Sequence, residues 1–196
     1  AEKQLHQILT RLPGLVSIPA AHYQALYQPV MENFAEYVQA LPLFGVVQYQ
    51  RPFGFLEFGL ENAFLSVYLY RKQQPIGDIP VEELSAKNAL WTYALFTAGL
   101  LQGIGKLYSS YWIALCDSKG RKSVVWDPYE GSVVSARQQN THLRYSFING
   151  SEGLTPNAAL ILARQILPPA AFEWLVSDPE VYEAWLDAIR GDERGR

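Results

Sequence analysis

The chain opens on a helical period. In AEKQLHQILTRL the apolar residues Leu5, Ile8, Leu9 and Leu12 fall on one helix face, and Pro13-Gly14 reads as its stop. A second stripe runs over 20–41, built from Tyr23, Leu26, Tyr27, Val30, Phe34, Tyr37 and Val38. Pro29 falls inside it and removes a hydrogen bond, which predicts a kink or a break. Two more helices are expected over about 54–71 and 82–103, the second in one or two pieces, separated by the Pro- and Gly-containing loop KQQPIGDIPVEE. The period then changes. SSYWIALCDSKGRKSVVWDP holds two β-branched and aromatic runs around Asp117-Ser118-Lys119-Gly120, which predicts a β-hairpin. A helix or loop follows in SVVSARQQN, then a short strand in HLRYSF. Thr155-Pro156 and Asp178-Pro179 each set an N-cap residue before proline, so helices should start there and run to about Leu167 and Ile189, with a shorter one in PPAAFEWLV between them.

The expected architecture is therefore mainly α with a small β-hairpin insertion, as one domain over residues 1–190 followed by a polar tail over 191–196. Composition agrees: 49% hydrophobic and 18% charged residues are too apolar for disorder. The single Cys116 forms no internal disulfide and builds no cysteine zinc site, so it reads as a small buried hydrophobe. The longest apolar run, 89–101, falls short of the roughly 20 residues of a membrane span, and no signal peptide is evident. The expectation is a cytoplasmic chain with no direct membrane insertion. Because it begins at Ala1 and ends in RGDERGR, it is also expected to be a piece of something longer. The net charge of −3 and the scattered basic residues argue against a nucleic-acid partner, SKGRK at 118–122 being the one local cluster.

Candidate chemistry is sparse. His6, His22 and His142 form no HxH or HExxH pattern and read as surface or packing residues. GIGK at 103–106 lacks the spacing and the Ser/Thr of a phosphate loop. Glu57 and Glu61 stand one helical turn apart and, with Asp117 and Asp127, are the carboxylates from which a relocated metal site would be built; a solvated or salt-bridged pair is the plainer reading. Trp112, Trp126, Tyr129, Trp174, Tyr182 and Trp185 are core or display residues. FEWLVSDPEVYEAWLDAI carries more aromatic bulk than a short helical hairpin needs, which makes Trp174, Tyr182 and Trp185 the candidate partner-binding residues.

Four segments in order, VVQYQRPFGFLEFGLENAFLSVYLYR, WTYALFTAGLLQGIGKLY, ALCDSKGRKSVVWDPYEGSV and LPPAAFEWLVSDPEVYEAWLDAI, resemble the HD-hydrolase domain of conjugative relaxases of the MobH (TraI-like) class. The opening LPGLVSIPAAHYQALYQPVMENFAEYVQALP is similar too, so the resemblance covers nearly the whole chain. It implies an HD-like helical bundle. In that family a His-His pair precedes the third helix, a His follows within it, and LLHDIGK supplies a His-Asp dyad. Here those positions hold Gln48 and Tyr49, Phe58, and Gln102 with Gly103, while Gly54, Leu56, Gly59, Leu60, Glu61 and Ala63 and then Leu100, Leu101, Ile104, Gly105 and Lys106 keep the family's scaffold pattern.

A divalent ion needs deprotonated carboxylate and imidazole donors, and these five residues offer none. The resemblance thus implies a pseudoenzyme with no metal, no cofactor and no catalytic residue, in which Phe58 and Gly103 let the third and fourth helices close over an apolar junction. It further implies protein partners in a conjugation or type IV secretion complex, such as the type IVB (Dot/Icm) apparatus, with recruitment to the inner membrane through those partners. Two alternatives stand beside it. One is a cryptic metal-dependent phosphohydrolase or relaxase-like enzyme using the four carboxylates. The other is a non-cleaving nucleic-acid-binding domain in which Arg51, Lys106, Lys119, Arg121, Lys122, Arg137 and Arg144 gather on one face.

Overall fold

The computed structural model describes residues 2–38, 40–73, 81–117, 119, 123–136, 142–147 and 155–191. Helix α1 spans Glu2–Val16 and α2 spans Ala20–Val38; a 3-10 turn, Val47–Tyr49, leads into α3, Gly54–Gln73. Helix α4, Val81–Leu100, is followed by tight turns and the single-turn α5, Lys106–Ser109. Strands β1 (Tyr111–Cys116) and β2 (Ser123–Val125) precede the short α6 (Val133–Ala136) and β3 (His142–Phe147). The chain then runs through α7 (Thr155–Ile166), α8 (Pro169–Leu175) and α9 (Pro179–Arg190).

The mainly helical architecture with a β-hairpin is as expected. β1 pairs antiparallel with β2 through Ala114↔Val125 and Cys116↔Ser123, and the segment HLRYSF adds β3 on the other side of β1, so the sheet is three-stranded in the order β2-β1-β3. Most of the SKGRK tip, most of the KQQPIGDIPVEE loop, Arg137 and the tail over 192–196 lie outside the described residues.

Neither proline stops its helix. α1 continues through Pro13 for another turn because Val16 is fully buried, Ser17 N–H donates to Pro13 O at 3.0 Å, and Arg71 Nη2 caps Val16 O at 2.5 Å. The carbonyl that Pro13 leaves unpaired is that of Leu9, and both residues are exposed, where water serves it. Ser17, at φ +57°, turns the chain instead. α2 likewise runs unbroken past Pro29.

A single core reaches from Ile8 to Ile189. At its centre α3 and α4 approach closely at two glycines. A Cβ on Gly59 would lie 2.6 Å from the Phe34 ring and 2.7 Å from Leu100 O; one on Gly99 would lie 2.8 Å from Asn62 O. The C-terminal helices are punctuated as expected. Asp178 caps α9 by accepting from Glu180 N at 3.0 Å and Val181 N at 3.3 Å, and Gly191 ends it at φ +73°. α9 is pinned to α4 by Trp185 Nε1, which donates to Thr97 Oγ1 at 3.0 Å inside the core.

Alanine at Gly59 or Gly99 should cost about 1–3 kcal/mol in denaturant unfolding, the usual penalty for overpacking a tight junction. Gly14→Ala, in α1 with no atom within 4 Å of the added Cβ, should instead stabilise by about 0.5–1 kcal/mol. Equal effects at the two kinds of site would refute the close approach.

Candidate functional site

The positions singled out by the resemblance come from three places: the 3-10 turn, the start of α3 and the turn after α4. The 3-10 turn packs against the helix start because Gly54 has no side chain, a Cβ there falling 1.9 Å from Tyr49 O. Phe53, at φ +66°, reverses the chain into α3 while its N–H donates to Ala40 O at 3.0 Å. This brings Tyr49 and Arg51 over one face of α3. Tyr49 Oη donates to Glu61 Oε2 at 2.5 Å, and its ring meets Phe58 edge-to-face at 5.2 Å. Arg51 Nη2 pairs with Glu57 Oε2 at 2.5 Å; the glutamate side chain is 3% exposed and the arginine 48%. One residue past Glu61, Asn62 Nδ2 donates to Gln102 Oε1 at 2.9 Å and ties α3 to the end of α4.

Tyr49, Phe58 and Gln102 therefore belong to one neighbourhood, whereas Gln48 is exposed. Phe58 packs against the core, but Gly103 is not what lets α3 and α4 approach. Gly59 and Gly99 set the approach of the helices, Gln102 is exposed, and Gly103 sits at φ +79°, where an added Cβ would meet nothing within 4 Å. What occupies this end of the helix pair is a set of side-chain hydrogen bonds.

Each carboxylate has its own donor. Burial first, and then the hydrogen bond and charge of Glu61, push the Tyr49 phenol up to about 12, with Gln48 pulling slightly the other way. Asp117 Oδ1 accepts from Lys119 N at 3.0 Å and Asp127 Oδ1 from Tyr129 N at 2.8 Å, so these two shape turns at the sheet. Among the described residues no group of three or more His, Cys, Asp or Glu side chains could hold a metal ion, so the four carboxylates are not gathered.

The family model TraI_2, described as "Putative helicase", matches residues 1–195. The chain belongs to the TraI_2 family. This is a conjugation-related family, and no curated protein matches the chain significantly.

In this TraI_2 chain the aromatic candidates of the C-terminal helices face inward. Trp185 is 3% exposed and hydrogen-bonded in the core, which corrects its reading as a displayed anchor. Trp174 is half-buried against Tyr93, with ring centroids 5.4 Å apart, and Tyr182 is half-buried between Phe172 and Trp185. Trp126 is buried, its Nε1 donating to Gly131 O at 3.0 Å. Of the basic residues, Arg51 pairs with Glu57, Lys106 Nζ donates to Phe44 O at 3.3 Å, and Arg144 lies on β3. Sequence reasoning missed the partnerships of Arg51 and Asn62. Arg51 precedes the helix pattern that starts at Gly54, and Gln102 lies forty residues beyond Asn62, so neither pair carries a period to read.

Arg51→Met leaves Glu57 buried without its cation and should destabilise the fold by about 1–3 kcal/mol, less than a fully buried pair because the arginine is half-exposed. Adding Glu57→Gln should recover part of the loss in a double-mutant cycle.

The raised Tyr49 pKa also gives a pH signature. Its stabilisation is complete below the ordinary value of 10.0 and is lost as pH climbs through about 12. The stability difference between the parent and Tyr49→Phe should therefore shrink across that window in urea titrations, and a difference constant over it would contradict the Tyr49–Glu61 bond.

Proposed function

We propose that this TraI_2 chain is a catalytically inactive HD-like module that works by binding protein partners in a conjugation or type IV secretion apparatus. The observation that carries the reading is the engagement of Tyr49 with Glu61 and of Gln102 with Asn62, at the positions where an HD enzyme presents metal ligands. A phenol held protonated to about pH 12, a neutral carboxamide, a phenyl ring and a glycine bring no charge to a divalent ion. Without a metal there is no Lewis acid and no activated water for phosphodiester hydrolysis. Nucleotide-driven work, the sense of the family's description, finds little support in GIGK. That string is a succession of turns entering α5, and its lysine ammonium is hydrogen-bonded to Phe44 O.

Partner binding needs exposed apolar surface, and the sheet offers it more than the C-terminal helices do. Trp112 and Val125 stand on one face, two residues apart in register across Ala114, at 39% and 56% exposure. No helix among the described residues is long and apolar enough to cross a membrane, so attachment to an inner-membrane apparatus would run through such partners.

Two measurements test the proposal together. The purified chain should carry no stoichiometric Mn, Fe, Zn or Mg, and adding them should leave its melting temperature unchanged. A bound ion at a hundredfold excess over its Kd would add about 2.7 kcal/mol. Affinity purification from the native cell should recover identified conjugation or secretion components, and Trp112→Ala should reduce that recovery about tenfold, as expected for a lost hot spot. A metal-dependent melting shift, or recovery of no such component, would overturn the reading.

A further inference from the structure

At the far end of α3 from Tyr49 the loop between α1 and α2, the start of α4 and helix α8 line an open cavity of about 570 Å³. From Glu57 to Arg71 along the helix is about 21 Å, so this space is separate from the site described above. Its polar wall is made of Ser17, His22, Asn88 and Arg71, and none of its described lining residues is an Asp or Glu.

Two of these groups are set up as donors. Arg71 Nη2 is fixed on Val16 O at 2.5 Å, while its Nε is buried and has no hydrogen-bond partner. Asn88 Oδ1 accepts from Tyr70 Oη at 3.2 Å, which leaves the amide N–H groups for a different acceptor. The Tyr27 hydroxyl, next in the chain to the lining residue Leu26, is likewise buried without a partner. Burial raises its pKa and the Arg71 charge acts against that rise, so the two orphaned groups feel one another. Leaving a buried donor unpaired is costly, and such groups are rare enough in native proteins to call for an acceptor. The rest of the lining is largely apolar and includes Leu26, Ala89 and Trp174.

We infer that this cavity binds a small organic anion, with a carboxylate or phosphate head on Arg71 and Asn88 and an apolar body along Leu26, Ala89 and Trp174. Charge decides the head, because the described wall holds a guanidinium and further donors with no counter-ion. The wall decides the body, because an inorganic ion would leave the indole and the two aliphatic side chains uncovered. The volume is in the usual range for small-molecule sites, about 300–1,000 Å³. The inference does not depend on the proposed scaffold role.

Melting temperature and tryptophan emission are followed with octanoate, octyl phosphate and the neutral octanamide. At least one of the two anions should raise the melting temperature and shift the emission, while octanamide does neither; the stronger anion identifies the head group. Asn88→Asp keeps the acceptor for Tyr70 and adds a carboxylate to the wall that Arg71 lines, so it should weaken anion binding tenfold or more. Ala89→Leu fills the cavity without touching Arg71 and should do the same. Trp174→Phe should abolish the emission change and keep the melting shift. The inference is overturned if neither anion stabilises the parent, if octanamide stabilises it equally, or if Asn88→Asp and Ala89→Leu both bind as the parent does.

Discussion

The distance between α3 and α4 is set by two absent side chains, and much of the molecule follows from it. Gly59 lets Leu100 O and the Phe34 ring come up against the α3 backbone, and Gly99 lets the backbone of Asn62 come up against α4. With Asn62 so close, its side chain spans to Gln102, three residues beyond Gly99. The same proximity brings Phe34 of α2 into the seam, where it meets Phe55 edge-on at 6.2 Å. On the other side of α4, Thr97 receives Trp185 of α9. A helix pair held one methyl group further apart would loosen contacts to α2 and α9 at once, because interiors packed this densely do not absorb such a shift locally.

The polar groups at the start of α3 act as a clamp. Arg51 and Tyr49 lie in the segment that leads into the helix, and their acceptors, Glu57 and Glu61, lie one turn apart on it. A buried carboxylate is costly and its pairing is weak evidence for net stability. What the two bonds do fix is the direction of chain entry, which the left-handed Phe53 would otherwise leave to a strained backbone. The clamp also gives both carboxylates a donor within the chain, so neither is left as a bare anion at this surface.

Much of the fold was legible in the sequence because its signals are local. Thr155-Pro156 and Asp178-Pro179 marked helix starts, the second with its aspartate cap in place, and the change of period at Tyr111 marked the sheet. Pro13 misled because its penalty was outweighed by distant contacts: Val16 in the core and Arg71 on its carbonyl hold α1 beyond it. Burial of Trp185 was not legible either, since an amphipathic helix shows which residues share a face and not what covers it. The sequence marked the positions around the start of α3 and the turn after α4 only through a resemblance. The actual bonds there, between residues six, twelve and forty apart in sequence, were not legible.

Gly103 has a consequence for how such a chain changes over generations. At φ +79°, with empty space where a Cβ would point, an Asn or Asp would meet no clash and carry only the strain of left-handed backbone, which these two side chains bear better than others. Gly59 and Gly99 have no such freedom. Change at 103 would therefore cost local backbone strain and leave the helix packing undisturbed, while the glycines that hold the helices together stay fixed.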